Sequence, residues 1–132
     1  MQYLIDTHVF LWFVSNSKEL SQTAKTLIED GNNEIFLSII SLWEISIKTA
    51  LGKLTINGKY DSVIDDVNDN AIQILPINFA HTVEQNSLPF HHRDPFDRII
   101  ISQAIVENMN FISADNIFDD YLKGKSIKRI WW

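Results

Sequence analysis

The sequence predicts an α/β domain with a central parallel sheet of four to five strands and helices on both faces. Three observations lead there. Short apolar runs of strand length alternate with longer stretches of helical spacing, the pattern of consecutive β–α units. Cap and stop residues punctuate the helical stretches, with Ser21, Asn78 and Asp94–Pro95 at starts and Gly31 and Gly52 at ends. No repeat, low-complexity tract or linker interrupts the alternation, so residues 1–132 read as one domain.

The elements follow in order. "YLID" is a short apolar run ending on an acid, and "THVFLWFV" continues it with helical spacing. "LSQTAKTLIEDG" sets Ala24, Leu27 and Ile28 behind Ser21 as N-cap, with Gly31 as the stop. "EIFLS" is the second strand. "SIISLWEISIKTALGKL" places Ile40, Trp43, Ile47 and Leu51 at helical spacing, and "YDSVIDDVNDNA" reads as a polar surface helix. "IQILPI" is a third strand closed by Pro76, and "NFAHTVEQNSL" a helix capped by Asn78. The clearest helix is "DPFDRIIISQAIVENM", with Asp94 at N-cap, Pro95 at N1 and Asp97 in the first turn. "NFISAD" is a fourth strand running to an acid, "NIFDDYLKG" a short helix, and "IKRIWW" a final strand.

At 132 residues the chain has the length of one domain, which buries roughly two-thirds of its unfolded surface. Four Trp, eight Phe and three Tyr supply a well-filled core or an aromatic interface, the latter a reading open for Trp131 and Trp132. With no Cys, neither disulfides nor thiolate metal ligation is available. The apolar N-terminus has no leading Lys or Arg and carries Asp6 and His8, so it reads neither as a signal peptide nor as a span, and a cytoplasmic location is expected. A net charge of −6 argues against bulk attraction to nucleic acid. It leaves room for a nucleic-acid enzyme, because carboxylates that hold cations inflate the negative count.

The acids fall where a parallel sheet binds ligands, beyond the carboxyl ends of its strands. Asp6 ends the first strand, Asp115 the fourth, and Asp97 opens the helix before the fourth. Glu44 sits between Trp43 and Ile45, i,i+4 from Lys48. Each acid alone has a plainer role: Asp6, Asp94 and Asp115 as caps, Asp97 as the acid of a capping pair, Glu44 as half of a surface ion pair. Their coincidence on one sheet edge tips the balance. Like charges gathered there repel unless a cation neutralises them, and Mg²⁺ or Mn²⁺ takes such oxygen ligands while leaving positions for phosphate chemistry.

Four segments together, "LIDTHVFLW", "SLWEISIK", "HHRDPFDRIIISQA" and "FISAD", resemble the PIN-domain ribonucleases, and within them the VapC-type toxins of bacterial type II toxin–antitoxin modules. The resemblance runs over essentially the whole chain. It implies a PIN domain over residues 1–132 and an endoribonuclease that hydrolyses RNA through a water activated by Mg²⁺ or Mn²⁺. Its acidic quartet maps onto Asp6, Glu44, Asp97 and Asp115, with Asp94, Thr7 and Ser113 in support. It further implies a cognate antitoxin as partner and a homodimer.

Around the acids, Arg93, Arg98, His92 and Lys48 are candidate contacts to RNA phosphates, with a solvated loop as the plainer reading of the first three. Lys53 is a weaker candidate, and His8 reads as structural. Phe10, Trp12 and Phe13 exceed what one helix needs for its core; the resemblance implies an antitoxin or dimer surface for them, with core packing the plainer reading for at least two. Two other functions compete. A catalytically silent PIN-like module that binds RNA or protein would gain nothing from clustered acids facing phosphate. A phosphohydrolase with Asp6 as nucleophile would be expected to carry an acid two residues on, where this chain has His8.

Overall fold

The structure is a computed structural model that describes residues 1–92 and 94–132. Arg93, a candidate RNA contact, lies outside the described residues. Five strands form one sheet: β1 (Gln2–Ile5), β2 (Glu34–Ser38), β3 (Gln73–Leu75), β4 (Asn110–Ile112) and β5 (Arg129–Ile130). Their order is β3-β2-β1-β4-β5, and every pairing is parallel. The chain adds β2 and β3 on one side of β1, then crosses to add β4 and β5 on the other. The topological switch therefore lies between β1 and β4, and the crevice beyond their carboxyl ends is where such a sheet binds ligands.

Parallel strands need covered faces on both sides, and the strand residues alternate accordingly. Tyr3, Ile5, Ile35, Leu37 and Ile112 point into one core with Val9 and Phe10 of α1 (Thr7–Val14), Ala24 and Ile28 of α2 (Gln22–Glu29), and Val63 and Val67 of α4 (Val63–Asp69). Leu4, Phe111 and Leu75 point into the other, where Ile100, Ile101 and Ala104 of α6 (Pro95–Glu107) and Phe118, Tyr121 and Leu122 of α7 (Phe118–Leu122) meet them. The expected α/β sheet with helices on both faces is thus present with five strands. Among the described residues, no helix is long and apolar enough to cross a membrane.

The caps form as the residue types predict. Ser21 Oγ accepts from Ala24 N at 3.1 Å, and Asn78 builds a full capping box with His81 at the start of α5 (Phe79–Ser87). Asp94 Oδ1 accepts from Phe96 N at 2.9 Å, with Pro95 at N1. Asn108, in the left-handed region at φ 56°, closes α6.

One stripe differs from expectation. In α3 (Ile39–Ala50), Trp43 is 57 % exposed and Leu51, its C-cap, 63 %, whereas Ser41, Leu42, Glu44 and Ile45 are buried with Ile40. The helix carries large apolar residues most of the way round, so their spacing admits more than one inward face. The face the fold selects is rotated by about one residue, and it brings Glu44 inside. Of the aromatics of α1, Phe10 is fully buried, while Trp12 and Phe13 are half-buried. Trp131 packs on Trp12 at 5.8 Å between ring centroids, and Trp132 is exposed.

Candidate metal centre

Asp6 follows β1 directly, and its N–H extends the ladder by donating to Ile112 O at 3.0 Å. The carboxylate is buried. Its Oδ1 accepts from Thr7 N at 2.7 Å and its Oδ2 from Ser113 Oγ at 2.8 Å. Burial pushes the Asp6 carboxyl above the usual range, opposed by the Ser113 hydrogen bond, the nearby His8 and the Thr7 N–H, while Glu44 adds to the rise. Asp6 therefore caps α1 and still presents a desolvated carboxylate to the crevice.

Ser113 is fully buried just past β4. While its hydroxyl donates to Asp6, its oxygen accepts from Asp115 N at 3.1 Å, so one side chain links two acids. Asp115 lies three residues beyond β4 rather than at its end, and its Oδ1 accepts from Ile117 N at 3.1 Å. Arg129 of β5 steadies the same loop, donating from Nη1 to Ser113 O at 2.9 Å while its fork grips Asp119 at 2.9 and 3.1 Å. Nothing in the local sequence singles out Arg129, whose position depends on β5 lying beside β4.

Glu44 is 3 % exposed. Thr7 Oγ1 stands 2.9 Å from Glu44 Oε1 and 2.8 Å from Ser41 Oγ. A hydroxyl carries one proton and the carboxylate is the stronger acceptor, so Thr7 donates to Glu44 and accepts from Ser41. Ser41 is absent from the sequence-derived site, although a signal existed: it lies three residues before Glu44, on the same face of an apolar helix. Lys48 Nζ donates to Glu44 Oε2 at 2.5 Å. This hydrogen bond is the main reason the Lys48 ammonium is held above its usual pKa, with Asp94 and Asp97 adding to the effect. Lys48 is thus committed to Glu44, where the sequence left it open to a phosphate.

Asp97 is the N3 residue of α6, the position whose side chain reaches back to the N-cap amide in a capping box. Here that amide is taken: Asp94 N donates to His92 Nδ1 at 3.1 Å. Asp97 instead faces the crevice, with Oδ2 3.0 Å from His92 Nε2, and that same nitrogen is 3.4 Å from Asp115 Oδ2. Burial first, then the charges of Asp6, Asp94, Glu44 and Asp115, push the Asp97 carboxyl up to about 8. A cleft of about 290 Å³ collects Asp6, Asp97 and Asp115 with His8, Trp12 and Ala114. Glu44 lines the adjoining cavity, which shares His8 with the cleft.

Two candidate phosphate contacts are placed otherwise. Arg98 is 3 % exposed and so is no surface contact to RNA. Its Nη1 donates to Pro89 O at 2.8 Å and to Tyr121 Oη at 3.3 Å, its Nη2 reaches Gln85 O and Leu88 O at 3.3 Å, and the guanidinium lies 4.1 Å from the Phe90 ring centre. The helix turns this side chain away from the crevice to bind the loop between α5 and α6. His92 turns its ring onto Asp97 and Asp115 rather than outward.

The donor set fits a hard divalent cation. Carboxylates converge on the cleft, and burial with the neighbouring acidic charges holds Asp97 against its charged form. Asp97, Asp115 and His92 offer ligand atoms within 4.8 Å of one another. Such an ion would lie at the switch between β1 and β4, with Asp6 on the same cleft.

Comparison with known proteins bears on the fold and the family. None of the curated proteins searched matches the chain. Among solved structures, VapBC2 from Rickettsia felis bound to a promoter DNA fragment is similar at TM-score 0.72 and 20 % identity, covering 100 % of both chains. VapBC-1 from nontypeable Haemophilus influenzae is similar at TM-score 0.68 and 19 % identity over 100 % of this chain and 98 % of the other. VapBC-5 from Mycobacterium tuberculosis, a member of the VapBC family of toxin–antitoxin systems, is similar at TM-score 0.64 and 16 % identity over 99 % and 98 %. At these identities the likeness concerns the fold. The family model of the PIN domain matches residues 3–123, nearly the whole chain, and the protein belongs to the PIN domain family.

Proposed function

We propose that the protein is the toxin of a type II toxin–antitoxin pair, a divalent-metal-dependent endoribonuclease built as one PIN domain over residues 1–132. The observation that carries this reading is the meeting of Asp6, Asp97 and Asp115 on one cleft at the β1/β4 switch, with Asp97 pushed up to about 8 by burial and its acidic neighbours. A site built to bind RNA passively would not gather unneutralised carboxylates where phosphates must approach. The three structures above are VapBC proteins, one of them a member of a family of toxin–antitoxin systems, and this supports the toxin assignment.

Asp6, Asp97, Asp115 and Glu44 would hold Mg²⁺, with Mn²⁺ as an alternative. When bound, such an ion polarises a phosphate oxygen and makes a water nucleophilic near neutral pH. The chain's own residues prepare the site for it. Ser113 and the Thr7 amide fix both oxygens of Asp6. Thr7 and Lys48 orient Glu44 and temper its charge. Helix α6 carries Asp97 on a rigid mount, its Gln103 tied to Ser38 at the start of α3 by a 2.5 Å hydrogen bond. The residues closest to the cleft are already hydrogen-bonded, so little reorganisation accompanies substrate arrival.

A partner surface is available beside the acids, sharing His8 and Trp12 with their cleft. A groove of about 550 Å³ runs beside α1, with Phe10, Leu11, Val14, Leu54 and Ile56 among its walls. An antitoxin segment in this groove, a homodimer, and action in the cytoplasm belong to the same proposal.

The test is cleavage of a single-stranded RNA by purified protein in Mg²⁺ or Mn²⁺, with EDTA as control. The expected products carry a 5′-phosphate and a 3′-hydroxyl, and EDTA abolishes them. RNA binding without cleavage in either metal would favour the silent module instead.

A further inference from the structure

His92 combines features that the carboxylate chemistry alone does not account for. Its ring sits between Asp97 and Asp115, 3.0 and 3.4 Å from their Oδ2 atoms. The other ring nitrogen, Nδ1, accepts the Asp94 N–H at 3.1 Å. A nitrogen that accepts carries no proton, so the ring's proton lies on Nε2 and points at the carboxylates. The backbone is fixed as firmly as the ring. His92 N donates to Tyr121 Oη at 2.6 Å, and the same hydroxyl receives Arg98 Nη1 at 3.3 Å. Phe118 stacks on the imidazole at 5.9 Å and 25°.

We propose that His92 is a positioning residue of the metal centre, its Nε2–H holding Asp97 Oδ2, with Asp115 Oδ2 alongside, so that Asp97 is kept facing the cleft where the ion would bind. The inference rests on the metal reading above. It assigns His92 a role different from that of a ligand. Coordination through Nε2 would move the ring proton to Nδ1, where it would confront the Asp94 N–H across 3.1 Å. The helix start that Asp94 and Pro95 create therefore selects the tautomer, and the tautomer makes His92 a donor. Carboxylate ligands are commonly held by such outer hydrogen bonds, and losing one typically costs about 10- to 100-fold in metal affinity or activity. The buried Arg98 joins the same chain of contacts through Tyr121, linking the loop between α5 and α6 to the site.

The experiment combines ring-nitrogen NMR of the metal-free wild type with Mn²⁺ binding followed by electron paramagnetic resonance. The NMR spectrum is expected to show His92 protonated at Nε2 and bare at Nδ1, and protonation at Nδ1 alone would overturn the proposal without any variant. For binding, H92A is expected to weaken Mn²⁺ by about 10- to 100-fold. H92Q, which keeps a nitrogen donor near the Nε2 position, is expected to restore most of that loss. Wild-type affinity in H92A would overturn the proposal. So would a ¹⁴N coupling typical of directly bound imidazole in the wild-type Mn²⁺ complex, which would make His92 a ligand. Absence of Mn²⁺ binding by the wild type would instead overturn the metal reading beneath it.

Discussion

Ser113 Oγ donates to Asp6 Oδ2 at 2.8 Å, joining two residues 107 positions apart across the switch point of the sheet. The bond exists because β1 and β4 are neighbours, and it orients the first acid of the site from the strand that leads to the last. Removing the hydroxyl leaves a buried carboxylate oxygen without its donor and the Asp115 amide without its acceptor. S113A is expected to lose about 1–3 kcal/mol of stability in urea unfolding, with S113T retaining most of it. An S113A protein as stable as wild type would show that the hydroxyl is not needed there.

Asp97 makes the metal-free protein sensitive to pH in a defined direction. Its carboxyl is raised from 3.8 to about 8, so the folded state holds the proton more tightly than the unfolded chain. The stability this supplies is complete below about pH 4 and is lost as pH rises through about 8, with a slope of at most about 1.4 kcal/mol per pH unit. In EDTA, D97N is therefore expected to gain stability relative to wild type as pH is raised from 5 to 8.5. Thermal melts of the two proteins across that range check this. A constant difference would mean that Asp97 is already ionised in the fold at pH 5.

Thr7 stands between Ser41 and Glu44 with one proton to give. T7V keeps the shape and removes the hydroxyl, leaving Glu44 Oε1 and Ser41 Oγ without it. Urea unfolding is expected to show a loss of about 1–3 kcal/mol in T7V and near-complete recovery in T7S. Equal stability of all three proteins would assign the ordering of Glu44 to Lys48 alone.

Arg98 tests a division of labour within "DPFDR". Its guanidinium is buried against three backbone carbonyls and the Tyr121 hydroxyl, so R98A is expected to cost at least about 2 kcal/mol through unsatisfied acceptors. R98K should rescue little, because an ammonium lacks the planar fork that reaches Pro89, Gln85 and Leu88 together. An R98A protein of normal stability that bound RNA more weakly would restore the phosphate-contact reading.

These cases also mark what the sequence could disclose. Strands, caps and the α6 start are local, and Ser21, Asn78 and Asp94–Pro95 announce them directly. Helix α3 shows the limit of periodicity, since a helix apolar most of the way round offers several inward faces and the sheet chooses one. The part played by Asp97 is not local either. Its position suits a capping box, and only the placement of His92 on the Asp94 amide frees it for the crevice. Arg98 and Arg129 look alike as surface cations, yet one braces a loop from inside and the other clamps the Ser113 turn, because burial and strand neighbours are set by the whole fold. Asp6 and Asp115 were legible because each closely follows a strand of the sheet, β1 and β4.

On the proposed function, Asp6 and Asp97 belong to one metal-dependent nuclease centre. Its most direct test is cleavage of a single-stranded RNA by wild type, D6N and D97N side by side in Mg²⁺, with the fold of each variant checked by its thermal melt. Both variants are expected to fold and to lose cleavage. A folded D6N or D97N protein that cuts RNA at the wild-type rate would contradict the claim.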